Sequence, residues 1–119
     1  MRLQDRVAIV TGAGGGIGAG IALAFARNGA TVVATDLELE RVERVASEIS
    51  DDGGKAIAVA HDVTDPDAAA QVVSDTIARY GQLDILVNVA GVGSFGHFND
   101  VTLAEFERVL RIKIGRAHV

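Results

Sequence analysis

The sequence predicts an α/β fold, a doubly wound parallel sheet, and three observations carry that prediction. Short β-branched apolar runs alternate with longer segments of helical periodicity. The links between them are short, as a sheet built from right-handed crossovers requires. The first strand also empties into a glycine-rich turn, with six glycines between Gly12 and Gly20, the one strong local bias in the 119 residues.

Each element has its own signal. Val7–Val10, "VAIV", is an unbroken apolar run of the kind a strand covered on both faces shows. "IGAGIALAFARNG" follows as a small-residue helix that ends at Asn28-Gly29. Thr31–Thr35 reads as the second strand. In "LERVERVASEIS" the residues Leu39, Val42, Val45, Ala46 and Ile49 share one helical face, and Asp51 to Gly54 closes that helix. Ala56–Ala60 is the third strand. "DPDAAAQVVSDTIARYG" is a helix with Pro66 in its first turn, where a missing N–H costs nothing. Leu83–Asn88 is the fourth strand. Beyond a glycine-containing loop, "TLAEFERVLRI" opens another helix, with Thr102 and Glu105 spaced as a capping box.

Composition narrows the function classes. Apolar residues make up 49% and charged residues 23%, the balance of a globular domain, and the length suits one core. A net charge of −5 with no basic run argues against a nucleic-acid partner. Without cysteine there is no disulfide, zinc thiolate or cysteine nucleophile. The apolar run in "MRLQDRVAIV" is too short for a signal-peptide core or a membrane span, so the expected location is the cytoplasm, with no membrane partner.

"TGAGGGIG", Thr11–Gly18, stands between the first strand and the first helix. Unpaired N–H groups and the helix dipole favour an anion there, and glycines let the backbone approach a pyrophosphate. Glycines also serve plain close packing of strand on helix. A P-loop is excluded because no Gly-Lys-Ser/Thr follows. The G-x-G-x-x-G spacing fits poorly, since the sixth position from Gly12 is Ile17; T-G-x-x-x-G-x-G fits, on Gly12, Gly16 and Gly18. Asp36 lies just past the second strand, about 20 residues beyond the turn, where a carboxylate can accept both ribose hydroxyls of an adenosine. A helix-capping or turn aspartate is the alternative. A 2′-phosphate would be repelled by Asp36 and would want a basic neighbour; Leu37 follows it, and Gly15 fills the turn position where one might sit. NAD is therefore expected over NADP.

Together "TGAGGGIG", Asp36, "HDVTD" with Asp62-Val63, and "NVAG" from Asn88 to Gly91 resemble the short-chain dehydrogenase/reductase family, over Gln4 to about Ile112. The resemblance implies an NAD(P)-binding Rossmann fold. It implies that Gly12, Gly15, Gly16, Ile17 and Gly18 line the pyrophosphate and ribose, and that Asp36 holds the adenosine ribose. Asp62 and Val63 would flank the adenine, and Asn88, Ala90 and Gly91 would lie under the cofactor. Where the family often has a second asparagine, this chain has Val89, which leaves only a backbone role there. Apart from the resemblance, Asp62 can be a strand-end turn residue, and Asn88 can simply satisfy backbone groups. His61 and His97 share no metal-ligand spacing. "SFGHF", Ser94–Phe98, either lines a substrate pocket or packs on the rest of a larger fold.

Family members of this kind move a hydride between nicotinamide and an alcohol or ketone carbon. They use a serine and a Tyr-x-x-x-Lys pair, with an asparagine completing a proton relay. The cation matters because an unassisted phenol has a pKa near 10. The only tyrosine here is Tyr80, followed four residues later by Asp84, and the only lysines are Lys55 and Lys113. No catalytic residue is expected in this chain, and the relay asparagine is expected where Lys113 stands. The expected parent is an NAD-preferring oxidoreductase acting on a small alcohol or ketone, a homo-oligomer at full length. The rivals are a non-catalytic dinucleotide sensor and a methyltransferase with an acidic residue on its adenosine ribose; sugar-epimerising relatives share the cofactor half.

The ending "IKIGRAHV" breaks a helical stripe without cap, glycine turn or proline. ATC-GGA-AGA-GCA-CAC-GTC encodes "IGRAHV" and belongs to a common sequencing adapter, whose leading AG would also turn an asparagine codon into the AAG of Lys113. Residues 1–112 are therefore expected to be the N-terminal part of a Rossmann-type dinucleotide-binding domain, truncated after the fourth strand and part of the next helix. Residues 113–119 are expected to be a non-native tail.

Overall fold

The structure, a computed structural model, describes residues 2–62 and 64–89. Within them the chain alternates strand and helix: β1 (Val7–Thr11), α1 (Gly16–Arg27), β2 (Thr31–Asp36), α2 (Leu39–Asp51), β3 (Lys55–Ala60), α3 (Pro66–Tyr80) and β4 (Ile85–Asn88). The strands form one sheet in the order β3-β2-β1-β4, and every neighbouring pair is parallel. This is the doubly wound parallel sheet expected from the strand and helix periodicities.

Burial follows position in the sheet. All five residues of the central β1 are buried, as are Val32 to Thr35 of β2. Side chains alternate between the two faces along each strand. Ala8, Val10, Val32, Ala34, Ile85 and Val87 meet Ile21, Phe25, Val42, Val45 and Ile49 from α1 and α2. On the opposite face Ile9 and Val33 meet Val72 of α3, with Ile57, Val59 and Leu83 packed around them. The outer strands are less covered. β3 is mostly half-buried, and β4 alternates, with Ile85 and Val87 inside and Leu86 44% exposed. β4 is thus an outer strand of the described sheet with an apolar residue showing.

The element ends are set by local chemistry. Asn28 ends α1, its side-chain amide donating to the Ala24 carbonyl at 2.8 Å. Asp65 caps α3 by accepting the Asp67 N–H at 3.0 Å, with Pro66 in the first turn as expected. Four strand boundaries differ from the sequence reading, one of them the start of β3, which lies at Lys55 rather than Ala56 because Lys55 pairs with Thr31. β1 and β2 each run one residue further, because the ladder continues through Thr11↔Asn88 and Asp36↔Ala60; Asp36 is therefore the last residue of β2 rather than past it. β4 starts at Ile85 and not Leu83, since the Asp84 side chain, not a ladder partner, takes the Val7 N–H at 2.8 Å. On α2, Val42, Val45 and Ile49 are buried while Leu39, in the first turn beyond the end of β2, is 42% exposed. The expected helix from Thr102, the "SFGHF" loop, His97, Lys113 and the tail lie outside the described residues.

Candidate functional site

β1 is flanked by β2, reached through α1 on one face of the sheet, and by β4, reached through α3 on the other. The winding therefore reverses between β1 and β4, and a crevice opens at their carboxyl ends, where ligands of open α/β sheets bind. The Thr11 hydroxyl bridges this point, lying 2.9 Å from Asn88 Oδ1 and 3.3 Å from the Val87 carbonyl. Asn88 thus holds β4 to β1 at the crevice.

The glycine turn leaves β1 here and enters α1. Gly12 and Gly16 have positive φ, +63° and +56°. A Cβ on Gly18 would fall 2.0 Å from the Gly12 carbonyl oxygen, so the turn folds back on α1 more closely than any side chain permits. Gly15 is the N-cap and supplies no side-chain hydrogen bond, and α1 has no acidic residue in its first turn. The first-turn N–H groups have no intrahelical acceptor, and the dipole presents partial positive charge. Among the described residues a Cβ on Gly16 would meet nothing within 4 Å. This cap-free helix start can take an oxyanion, and Gly12, Gly15, Gly16, Ile17 and Gly18 all belong to it.

Asp36, at the carboxyl end of β2, comes to the same place. Its Oδ2 accepts the Gly14 N–H at 3.0 Å, and its Oδ1 accepts the Glu38 N–H at 3.2 Å. It does not cap α2, whose N-cap is Glu38; it closes the turn before that helix and ties the turn to the glycine segment. Each carboxylate oxygen has a further lone pair for an outside hydroxyl. Gly14, absent from the expected site, is where contact is closest: a Cβ there would lie 2.6 Å from Asp36 Oδ2 and 2.7 Å from Arg41 Cβ. Positions 15 and 37 carry no basic residue, as the sequence shows, but the first turn of α2 brings the Arg41 side chain over Gly14, with its Nη2 4.0 Å from the Cβ position of Gly15. Sequence offered only a weak pointer to Gly14, the run of three glycines, and none to Arg41, whose approach depends on how α2 lies on the sheet.

On the α3 face each strand ends in a polar residue: His61 just after β3, Thr35 on β2, Thr11 on β1 and Asn88 on β4. His61 is buried, its Nδ1 3.4 Å from the Thr35 hydroxyl and its N–H donating to the Asp36 carbonyl at 2.8 Å. Among the described residues its Nε2 has no hydrogen-bond partner; it is buried beside a cavity of about 110 Å³ lined also by Ile9, Thr11, Leu86 and Asn88. Asp62 is exposed, and its Oδ1 accepts both the hydroxyl and the N–H of Thr64, at 2.6 and 2.9 Å. Those two bonds, the hydroxyl's first, hold the carboxyl below the usual aspartate range, and His61 adds to the effect. Asp62 therefore acts as the turn residue after β3. Val63, Ala90 and Gly91 lie outside the described residues.

Tyr80 is remote from this crevice. It is the last residue of α3, packed near Leu83 at the amino ends of the strands, whereas the glycine turn lies at their carboxyl ends. No group of three or more potential metal ligands occurs among the described residues, and none of their helices is long and apolar enough to cross a membrane.

Sheet order, switch-point crevice, glycine turn and strand-end aspartate define a nucleotide-binding α/β domain of the Rossmann type. The sequence profile described as short chain dehydrogenase matches residues 6–115, and the chain belongs to that family. It is 47% identical over 112 residues to versicolorin reductase 1 of Aspergillus parasiticus, covering 93% of this chain and 43% of that protein. It also resembles the crystal structure of a metagenomic short-chain oxidoreductase in complex with NADP, with a TM-score of 0.70 and 40% identity over 72% of this chain and 39% of that one. A third likeness is to a 7α-hydroxysteroid dehydrogenase complexed with NADH and 7-oxoglycochenodeoxycholic acid. There the TM-score is 0.71 and the identity 41%, over 73% of this chain and 34% of that one. The chain thus spans less than half the length of the relatives it matches.

Proposed function

We propose that this chain is the cofactor-holding part of an NAD(P)-dependent oxidoreductase that transfers a hydride between nicotinamide and the carbon of a small alcohol or ketone. The observation that carries the reading is the 3.0 Å hydrogen bond from the Gly14 N–H to Asp36, which makes one site of two motifs 22 residues apart. In it, Gly12, Gly15, Gly16, Ile17 and Gly18 bind the pyrophosphate and adjoining ribose through backbone N–H groups and the α1 dipole. Asp36 accepts the adenosine ribose hydroxyls, and Asp62 and Val63 flank the adenine. Asn88, Ala90 and Gly91 form the floor beneath the cofactor. The dinucleotide, when bound, supplies or accepts the hydride; these residues bind and orient it. The Asp36 carboxylate supports a preference for NAD. That named neighbours hold NADP in one case and NADH in another leaves this preference to be measured.

The only tyrosine of the sequence is Tyr80, and no Tyr-x-x-x-Lys occurs in it, so we expect this chain to bind cofactor without turning over an alcohol or ketone. One second reading is a dinucleotide-binding sensor, which a full-length gene lacking Tyr-x-x-x-Lys would favour. A cytoplasmic location and homo-oligomeric assembly of the whole protein belong to the proposal. So does the adapter origin of residues 113–119, which re-sequencing the gene across codon 113 tests: a frame that continues through asparagine supports it, and a stop after Val119 ends it.

The binding test is calorimetry of NAD against the wild-type chain and Asp36→Asn. Losing the charge-assisted bonds to the ribose should weaken NAD about tenfold. Equal NAD affinity in both proteins would show that Asp36 does not hold the ribose.

A further inference from the structure

We propose that Arg41 is a specificity-determining residue at the adenosine 2′ position, giving the site a cation for a 2′-phosphate so that the phosphorylated dinucleotide is admitted despite Asp36. The inference rests on the dinucleotide site proposed above and adds to it a residue that the glycine and aspartate motifs do not contain.

Arg41 stands over the glycine turn. Its Cβ is where a Gly14 Cβ would nearly land, 2.7 Å away, and its terminal Nη2 is 4.0 Å from the Cβ position of Gly15. The guanidinium therefore occupies the space a basic side chain at position 15 would enter. The Asp36 carboxylate is bonded to the neighbouring Gly14 N–H. A ribose placed against Asp36 would thus meet a carboxylate there and have a guanidinium close by, over Gly15. The first suits a free hydroxyl. The second suits a phosphate, whose oxygens match the planar fork of arginine.

The guanidinium is available for this. Its ion pair is with Glu38, Nε to Oε2 at 3.6 Å, and both side chains are more than half exposed. Exposed pairs of this kind are weak. Among the described residues, neither terminal nitrogen of Arg41 donates a hydrogen bond. A phosphate can therefore engage the fork without displacing a strong partner, and Glu38 acts as a mild brake by drawing the cation toward itself.

The test uses ADP-ribose and 2′-phospho-ADP-ribose as probes, titrated calorimetrically into the full chain. Arg41→Met keeps the aliphatic stem over Gly14 and removes only the charge; Arg41→Lys keeps the charge without the fork. Arg41→Met should weaken 2′-phospho-ADP-ribose about tenfold, the worth of one charge-assisted contact, and leave ADP-ribose within about twofold. The loss should shrink as salt is raised. Arg41→Lys should fall between, and Glu38→Gln should shift the ratio of affinities toward the phosphorylated probe. Equal weakening of both probes by Arg41→Met would mean that the side chain only packs on the adenosine or the turn, and an unchanged 2′-phospho-ADP-ribose affinity would remove Arg41 from the site; either overturns the inference while leaving the dinucleotide reading standing. Failure of the wild-type chain to bind ADP-ribose would instead bring down that reading, and this one with it.

Discussion

Replacing Gly18 by alanine drives a methyl group into the glycine turn. An ideal Cβ at that position lies 2.0 Å from the Gly12 carbonyl oxygen, 2.7 Å from its carbon and 3.1 Å from Ala13 Cα. Carbon and oxygen in even a close C–H···O contact stay about 3.3 Å apart, so the turn has to open by about 1.3 Å. Nothing in the contact is a flexible side-chain tip. The next residue, Ala13, is tied to β2 through its N–H on the Thr35 carbonyl at 2.9 Å, so the strain passes directly to the sheet. Overpacking against backbone belongs at the upper end of its usual range, about 3 kcal/mol. With a urea slope of about 1.5 kcal/mol/M, the unfolding midpoint should fall by about 2 M. Gly20→Ala, two residues along the same helix, is the control: among the described residues its Cβ would meet nothing within 4 Å, and the residue is exposed. There only helix propensity acts, and alanine should stabilise by about 0.5–1 kcal/mol. The same chemical change should thus move the midpoint in opposite directions at the two positions. A Gly18→Ala protein unfolding within about 0.5 M of the wild type would refute the reasoning.

Three further outcomes follow from the same geometry. Asp84→Ala removes the acceptor of the Val7 N–H at 2.8 Å and of the Gln82 amide at 2.7 Å; it should cost about 1–3 kcal/mol in denaturant unfolding. Arg6→Ala, which breaks only the 3.4 Å ion pair to the same carboxylate, should cost under about 1 kcal/mol, and equal losses would deny the backbone bond its role. Thr64→Val removes the stronger of the two donors to Asp62, so the Asp62 carboxyl should titrate closer to the ordinary aspartate value when followed by carbon NMR. Because the folded protein holds Asp62 ionised, its contribution to stability is present above the unfolded-state pKa and is lost as pH falls through the depressed folded value; an unchanged titration in Thr64→Val would contradict the assignment.

Much of the architecture was legible because parallel sheets write their burial into short apolar runs. "VAIV" reads as a strand covered on both faces, and the structure buries it so; "TVVAT" reads as the second strand, and Val32 to Thr35 are buried. Pro66 and the Asn28-Gly29 pair marked helix ends for reasons local to the backbone, and both ends fall where expected. What failed was also physical. Leu39 fits the helical stripe of α2 yet stays exposed, because the stripe records only angular position and not that the first turn overhangs the sheet. Leu83 is apolar enough to extend β4, but the Asp84 carboxylate takes the hydrogen bond that a longer ladder would have used.

The sequence alone determined the class of site. A glycine turn after the first strand and a carboxylate after the second are local chemical facts, and spacing along a βαβ unit puts them at one end of one sheet. Only the tertiary structure decided how the two meet. Asp36 bonds to Gly14, 22 residues away, because β1 and β2 pair in register from Val7↔Thr31 and so end side by side. Arg41 comes over Gly14 and Gly15 because α2 packs Val42, Val45 and Ile49 into the sheet, which turns its first-turn arginine toward the glycines. Neither contact leaves a trace in local pattern. Periodicity reports which face of an element is buried, while the charge that a packed helix brings to a neighbouring loop is set by how the elements pack together.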